Sequence, residues 1–248
     1  MSSNDKKIIA VIPARYESSR FPGKPLAKIL EKPMIQWVYE RVLSVEEISE
    51  VYVATDDKRI FDVVENFGGR AVMTGECSCG TDRVYEASKE IDCDIVLNIQ
   101  GDEPLIKREM IQDLIEIFKD ENVKMGTLKK RMQDNENPED PNIVKVITNI
   151  NDEAIYFSRF PIPYNRERTN RIALFKHIGV YGYSKGFLKE FVSLPSGKLE
   201  LIEKLEQLRA IENGYNVIVK ETLYQSIGVD LPEHISLIEQ EITWEKNE

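Results

Sequence analysis

The chain is 248 residues long, with 43 acidic against 33 basic side chains, a formal net charge of -10, 42% hydrophobic residues and 8% aromatics. That balance excludes a disordered chain, and the length is enough to bury a core without disulfide staples. The acidic surplus excludes a protein that wraps nucleic acid, so any anionic ligand has to be met by a local cluster of cations.

The polar stretch Met1 to Lys7 runs into only five apolar residues, Ile8 to Ile12, far short of a signal-peptide core or a membrane span. Three cysteines, Cys77, Cys79 and Cys93, cannot all pair with one another and fit a reducing compartment. The expectation is a cytoplasmic protein without a membrane or nucleic-acid partner.

β-Branched apolar runs alternate with helical periodicity through the first half, the pattern of a parallel sheet with crossover helices, so the fold class is α/β. Lys7 to Ile12 reads as a strand buried on both faces, followed by strands at Val51 to Ala54, Arg70 to Met73 and Asp94 to Ile99. Helical stripes separate them: Met34, Ile35, Val38 and Val42; Ile60, Val63 and Val64; and, after the fourth strand, Met110, Ile111, Leu114 and Phe118. From about Val123 the regularity loosens. The Pro-containing stretch Asp134 to Asn142, then Pro161, Pro163 and the run Asn165 to Arg171, interrupt any helix, so residues 124–176 read as an inserted lobe on a single 1–248 domain. A strand at Ile178 to Tyr183 follows, then one helix from about Lys198 to Glu212, striped by Leu199, Ile202, Leu205, Leu208 and Ile211 and stopped at Gly214. A strand at Val217 to Val219 and a helix after Pro232 close the chain.

Directly after the first strand lies Pro13-Ala14-Arg15-Tyr16-Glu17-Ser18-Ser19-Arg20-Phe21-Pro22-Gly23-Lys24-Pro25. In an open parallel sheet, ligands bind beyond the carboxyl ends of the strands. Arg15, Arg20 and Lys24 there offer enough charge to neutralise most of a triphosphate, with Ser18 and Ser19 as hydroxyl donors. The loop has neither the Gly-Lys-Ser/Thr ending of a P-loop nor the glycine fingerprint of dinucleotide folds, so kinases and dehydrogenases lose support, and with no Gly-x-Ser-x-Gly elbow no covalent nucleophile is evident. Asp102, in Gln100-Gly101-Asp102-Glu103-Pro104, sits at the carboxyl end of the fourth strand, and Asp230, in Gly228-Val229-Asp230, follows a short extended stretch. Two carboxylates with an anionic nucleotide suffice for magnesium.

Those motifs, together with Val53-Ala54-Thr55-Asp56-Asp57, Gly80-Thr81-Asp82-Arg83, Tyr156-Phe157-Ser158-Arg159, Lys176-His177-Ile178-Gly179-Val180-Tyr181, Leu205-Glu206-Gln207-Leu208-Arg209 and Asp230-x-Pro232-Glu233, resemble the CMP-Kdo synthetases, or 3-deoxy-manno-octulosonate cytidylyltransferases, in their order along almost the whole chain. The resemblance implies a mostly parallel, Rossmann-like nucleotidyltransferase sheet flanked by helices. It implies that CTP and a 3-deoxy-2-ulosonic acid, Kdo or a Kdo variant, give CMP-sugar and pyrophosphate for lipopolysaccharide or capsule assembly, and that the protein is a homodimer through its middle section. By resemblance, Lys24, Asp102 and Asp230 form the catalytic centre, the two aspartates holding Mg2+. Pro13, Ala14, Arg15, Ser18, Arg20, Lys24, Gly80, Arg83 and Gln100 would bind the nucleotide. Arg159 and Arg166 would engage the sugar-acid carboxylate, and Gln100, His177, Tyr181, Glu206 and Gln207 would read its hydroxyls.

One loop departs from the family pattern His-x-Ser-Gly-Thr-x-Arg: this chain reads Cys77-Ser78-Cys79-Gly80-Thr81-Asp82-Arg83, replacing an imidazole and a hydroxyl by thiols that hydrogen-bond more weakly. The departure leaves open which ulosonic acid is used. A tetrahedral zinc set is not expected, since beyond this pair only one cysteine and two histidines, His177 and His234, remain. Two alternatives stand beside the main reading: a nucleotidyltransferase of the same fold acting on a phosphosugar or phosphonate, which needs more cations near His177 than Lys176, and a non-catalytic nucleotide-binding regulator that lacks the metal site.

Overall fold

The apolar run after Lys7 forms β1 (Ile8–Pro13), buried almost end to end because it is covered on both faces. The structure, a computed structural model, describes residues 6–18, 20–167 and 172–245. The elements that follow are β2 (Lys28–Ile29), β3 (Lys32–Pro33), α1 (Met34–Leu43), β4 (Glu50–Thr55), α2 (Lys58–Asn66), β5 (Ala71–Met73), α3 (Gly80–Ser88), β6 (Ile95–Asn98) and α4 (Arg108–Ile117). Then come β7 (Met125–Arg131), β8 (Lys145–Thr148), β9 (Ala154–Ser158), β10 (Phe175–Ser184), α5 (Lys185–Ser193), α6 (Lys198–Glu203), α7 (Leu208–Glu212), β11 (Ile218–Glu221) and α8 (His234–Glu245).

The chain divides into two compact units, residues 1–112 with 225–248, and residues 113–224. The first is built on parallel strands in the order β6-β1-β4-β5, with α1, α2 and α3 packed on them. The register aligns Pro13 with Ala54 and Val11 with Asn98, so the carboxyl ends of β1, β4 and β6 open onto one rim. The short β2–β3 hairpin and α8 share an apolar cluster of Ile29, Met34, Trp37, Leu105, Val229, Ile238 and Ile242.

In the second unit β7 pairs with β11 in parallel and with β10 antiparallel, while β8 pairs antiparallel with β9 and, at one position, with β10. Among its described residues the 124–176 section, where the sequence pattern loosens, therefore holds β7, β8 and β9 whole and the start of β10. Lysines hide them: Lys129, Lys145 and Lys176 look like solvent-facing positions and are all buried. Lys145 gives its ammonium protons to the carbonyls of Asp140, Ile143 and Arg159 at 3.1, 2.5 and 2.5 Å, and Lys129 pairs with Asp152 at 2.6 Å. Lys176 pairs with Glu136. Burial of a cation is sustained by such saturation of its donors.

The helix expected over Lys198 to Glu212 is two helices. Lys204 adopts a left-handed φ of 55°, which ends α6, and α7 restarts at Leu208. The apolar stripe misleads because Leu199 and Ile202 are exposed while Leu205 and Leu208 are buried, so the five positions do not share one core face. A buried bidentate pair closes the two helices on each other: Arg209 Nε and Nη2 donate to Glu200 at 2.9 and 2.6 Å. Helices α3 and α5 and the β2–β3 hairpin lie outside the periodicity expectations.

Candidate active site

The rim of the first unit is made by the loops after β1 and β6. The Ala14 amide donates to the Ala54 carbonyl at 2.9 Å, holding the start of the basic loop beside β4. Gly101 lets the two loops approach closely: a Cβ on it would stand 3.1 Å from the Pro13 carbonyl oxygen, a tight contact. Gly23, at φ 71°, turns the chain into a 3₁₀ turn at Lys24–Leu26 and aims Lys24 inward. A cavity of about 640 Å³ is lined by Arg15, Tyr16, Glu17, Ser18, Pro22 and Arg59. Ser18 Oγ accepts from the Phe21 amide at 3.4 Å; Ser19 lies outside the described residues.

Arg59 was not singled out from the sequence, where it reads as an ordinary exposed residue near a helix start. Its guanidinium lies 3.3 Å from the centroid of the Tyr16 ring and is held by Asp57 through Nε at 2.9 Å and Nη2 at 2.6 Å. The hydrogen bonds with Asp57 raise its affinity for the proton, so it adds a permanent cation to the cavity of the basic loop.

Lys24 gathers the acidic residues. Its Nζ lies 2.6 Å from Asp102 Oδ2 and 2.8 Å from the Val229 carbonyl oxygen, while the Val229 amide donates to the Asp102 carbonyl at 2.8 Å. Asp230 follows directly, paired with Arg20 at 3.0 Å, its amide donating to His234 Nδ1 at 3.2 Å. The sequence thus brings two carboxylates 128 positions apart to one place, each already facing a cation from the basic loop. Among the described residues no group of three or more His, Cys, Asp or Glu side chains is arranged to hold a metal by itself. Two hard carboxylates fit magnesium when phosphate oxygens and water complete its shell. The Oε2 of the neighbouring Glu103 is buried without a partner, and burial, with the charge of Asp102 second, pushes its pKa to about 7.

Arg83 and Gln100 are tied into the framework. Arg83 is buried and donates through Nη2 to Asp56 at 2.6 Å and through Nη1 to Thr74 at 2.6 Å, so it fixes the segments after β4 and β5. Gln100 Nε2 donates to Asn98 Oδ1 at 3.3 Å. Gly80 begins α3, whose N-cap is Cys79: the Asp82 amide donates to its Sγ at 3.4 Å. The thiol therefore occupies a capping position that favours serine. The Cys77 thiol donates to the Gly75 carbonyl at 3.5 Å and is held above the ordinary thiol range by burial.

The second unit holds its own polar cluster. A break in the β7–β10 register between Ile178 and Tyr181 re-aims the side chains of β10. His177 Nε2 lies 2.9 Å from Thr127 Oγ1, with Phe157 edge-on at 5.0 Å and Tyr181 at 5.4 Å between ring centroids. Burial pushes the His177 pKa down to about 3, so the ring is neutral. The Thr127 hydroxyl donates to the Val180 carbonyl at 2.7 Å, which assigns the imidazole proton to Nε2 and leaves Nδ1 an acceptor. Burial, then the charge of Glu206, holds the Tyr181 phenol far above its usual range and fully protonated. Gln207 is buried and its Nε2 has no partner among the described residues, a donor set aside in a core-like setting.

Arg166 lies on an exposed stretch. Arg159 is differently employed from a free carboxylate ligand: its Nε, Nη1 and Nη2 donate to the carbonyls of Glu203, Pro141 and Lys204 at 2.7, 2.8 and 3.3 Å. It pins the left-handed turn that precedes Glu206 and Gln207. Glu203 returns the contact, accepting from the Arg159 amide at 3.0 Å and the Ser158 hydroxyl at 2.8 Å. Among the described residues no helix is long and apolar enough to cross a membrane.

The family model described as cytidylyltransferase matches residues 9–223. The chain is 51% identical over 246 residues to the 3-deoxy-manno-octulosonate cytidylyltransferase of Thermodesulfovibrio yellowstonii, covering 94% of this chain and 96% of that one. It is 46% identical over 249 residues to the protein of the same name from Geobacter metallireducens, covering 96% and 98%. A solved structure of CMP:2-keto-3-deoxy-manno-octonic acid synthetase complexed with CTP superposes with a TM-score of 0.92 at 41% identity, over 96% of this chain and 99% of that one. The 4-diphosphocytidyl-2C-methyl-D-erythritol synthase of Anaerococcus prevotii, at 17% identity and a TM-score of 0.63 over 97% and 100%, shares the fold. Since a rim of cations and paired aspartates accompanies identity of this extent along nearly the whole chain, the protein belongs to the 3-deoxy-manno-octulosonate cytidylyltransferases, the CMP-Kdo synthetases.

Proposed function

We propose that this chain transfers the cytidylyl group of CTP to the C2 hydroxyl of a 3-deoxy-2-ulosonic acid, Kdo before its variants, releasing pyrophosphate. The hydroxyl oxygen bonds to the α-phosphorus, the bond from that phosphorus to the bridging oxygen of the β-phosphate breaks, and the hydroxyl proton leaves to solvent. The observation that carries this reading is the position of Lys24 Nζ, 2.6 Å from Asp102 and 2.8 Å from the carbonyl next to Asp230. Arg15, Arg20, Lys24 and Arg59 supply charge for the triphosphate, and Asp102 and Asp230 would hold magnesium. The ion, when bound, neutralises phosphate charge and orders its oxygens. The rest is positioning and electrostatic stabilisation by the protein's own groups.

For the sugar acid, the second unit offers His177 Nδ1 and Glu206 as acceptors and the Tyr181 hydroxyl and Gln207 amide as donors. That mixture suits a polyol, and it favours an ulosonic acid over a phosphosugar or phosphonate, which calls for further cations. With a pKa of about 3, His177 is unsuited to act as a base near neutral pH. Incubation with CTP, Mg2+ and a panel of ulosonic acids, Kdo and amino-substituted forms included, with mass spectrometry of the product, tests the reading. A CMP adduct of none of them would overturn it.

We further propose that the enzyme works in the cytoplasm, feeds lipopolysaccharide or capsule assembly, and is a homodimer through residues 124–176. Ile155, Phe160 and Tyr164 in that section are exposed large apolar side chains, the kind of surface a second copy would cover. Sedimentation at twice the chain mass supports the dimer, and a monomer at micromolar concentration refutes it.

A further inference from the structure

The irregular segment before α8 has an alternating arrangement. Ile227 and Val229 pack into the apolar cluster of the first unit, so the period-two geometry of an extended chain sends Ser226, Gly228 and Asp230 to the opposite side. Glu103 lies along that side. Its Cγ stands 4.0 Å from the point a Cβ on Gly228 would occupy, and its carboxyl meets the Ser226 hydroxyl. The main-chain link between the two segments is the Val229 amide to the Asp102 carbonyl. Neither Glu103 Oε2 nor Ser226 Oγ has a well-formed hydrogen bond among the described residues. A buried carboxyl oxygen in that state costs stability, and such a cost is retained where a site needs the group.

We propose that Glu103 is a positioning residue whose buried carboxyl, wedged against Ser226 and Gly228, fixes residues 226–230 against loop 100–103 and so sets the separation of Asp102 and Asp230. The inference rests on the magnesium–CTP reading of that site. Glu103 is not itself a ligand here: no three-carboxylate cage exists among the described residues. It acts by shape and by its contact with the Ser226 hydroxyl, which an amide of the same size reproduces and a shorter carboxylate does not.

The test is calorimetric titration of Mg2+–CTP into the full-length protein without acceptor, which reads binding and not turnover. Glu103→Asp and Glu103→Ala are expected to weaken Mg2+–CTP binding tenfold or more while leaving CTP binding in EDTA within threefold. Glu103→Gln is expected to stay within threefold of the parent in both. Should Glu103→Ala fail to fold, the Asp and Gln variants carry the comparison. Equal affinity in the Asp variant and the parent, or a Gln variant as weak as the Asp variant, overturns the inference. Asp102→Asn separates the two levels: if it keeps parental Mg2+–CTP affinity, the magnesium reading fails and this inference with it. If it loses affinity while Glu103→Asp does not, only the role of Glu103 falls.

Discussion

His177 and Thr127 are joined through Nε2 and Oγ1 at 2.9 Å, and that contact decides which face of the imidazole is left for a ligand. With Nε2 spent on the threonine, Nδ1 is an acceptor in a half-buried, neutral ring. His177→Gln should therefore raise the KM for the ulosonic acid about tenfold, the equivalent of one lost hydrogen bond to a buried group, with kcat changed much less. A fall in kcat alone, with loss of a pH dependence that the parent shows near neutrality, would mean that the ring moves a proton.

The same burial makes stability depend on pH in a fixed direction. An unfolded histidine takes up its proton near 6.5, whereas folded His177 resists until about 3. Between those values the unfolded chain binds more protons, so the contribution is complete above about 6.5 and is lost as pH falls toward 3. Urea melts of parent and His177→Gln across that window should diverge, the parent losing stability more steeply on the acid side. Parallel curves would contradict the assigned burial.

Lys204 holds φ 55° at the end of α6, where its carbonyl accepts from Arg159. A side chain there costs about 1 kcal/mol relative to glycine. Lys204→Gly should raise stability by up to about that amount with sugar-acid KM unchanged, whereas Lys204→Val should destabilise by roughly 1–2 kcal/mol and raise that KM by displacing Glu206 and Gln207. Chemical denaturation and steady-state kinetics check both.

Cys79 caps α3 with sulfur, a weak acceptor. Cys79→Ser should stabilise the protein by about 0.5–1 kcal/mol and Cys79→Ala should not, judged by urea midpoints at constant slope. No gain from serine would indicate that the thiol is held by other contacts.

Much of the first unit was legible in the sequence because its strands are continuous apolar runs bounded by turns, as in Ile8 to Ile12 and Ile95 to Asn98, and helices α1, α2 and α4 keep a single stripe. The loop Pro13 to Lys24 was legible through charge and placement. What was not legible depends on tertiary context. The strands around Lys129, Lys145 and Lys176 look polar until their donors are seen to be saturated. The break at Lys204 lies inside good helical periodicity and is stabilised by Arg159 and by the Glu200–Arg209 pair. The use of Arg159 and Arg83 as fasteners, and of Arg59 as an added cation, follows from distances that no spacing rule contains.

The central claim is that a magnesium–nucleotide is held where Lys24 meets Asp102 and Asp230. The most direct measurement is pyrophosphate release from CTP and Kdo by parent and Asp102→Asn across a Mg2+ titration. Mg2+-dependent release by the parent and a loss of about 10²-fold or more in the variant are expected, as when a transition-state electrostatic contact is removed. Turnover by Asp102→Asn within threefold of the parent at every Mg2+ concentration would contradict it.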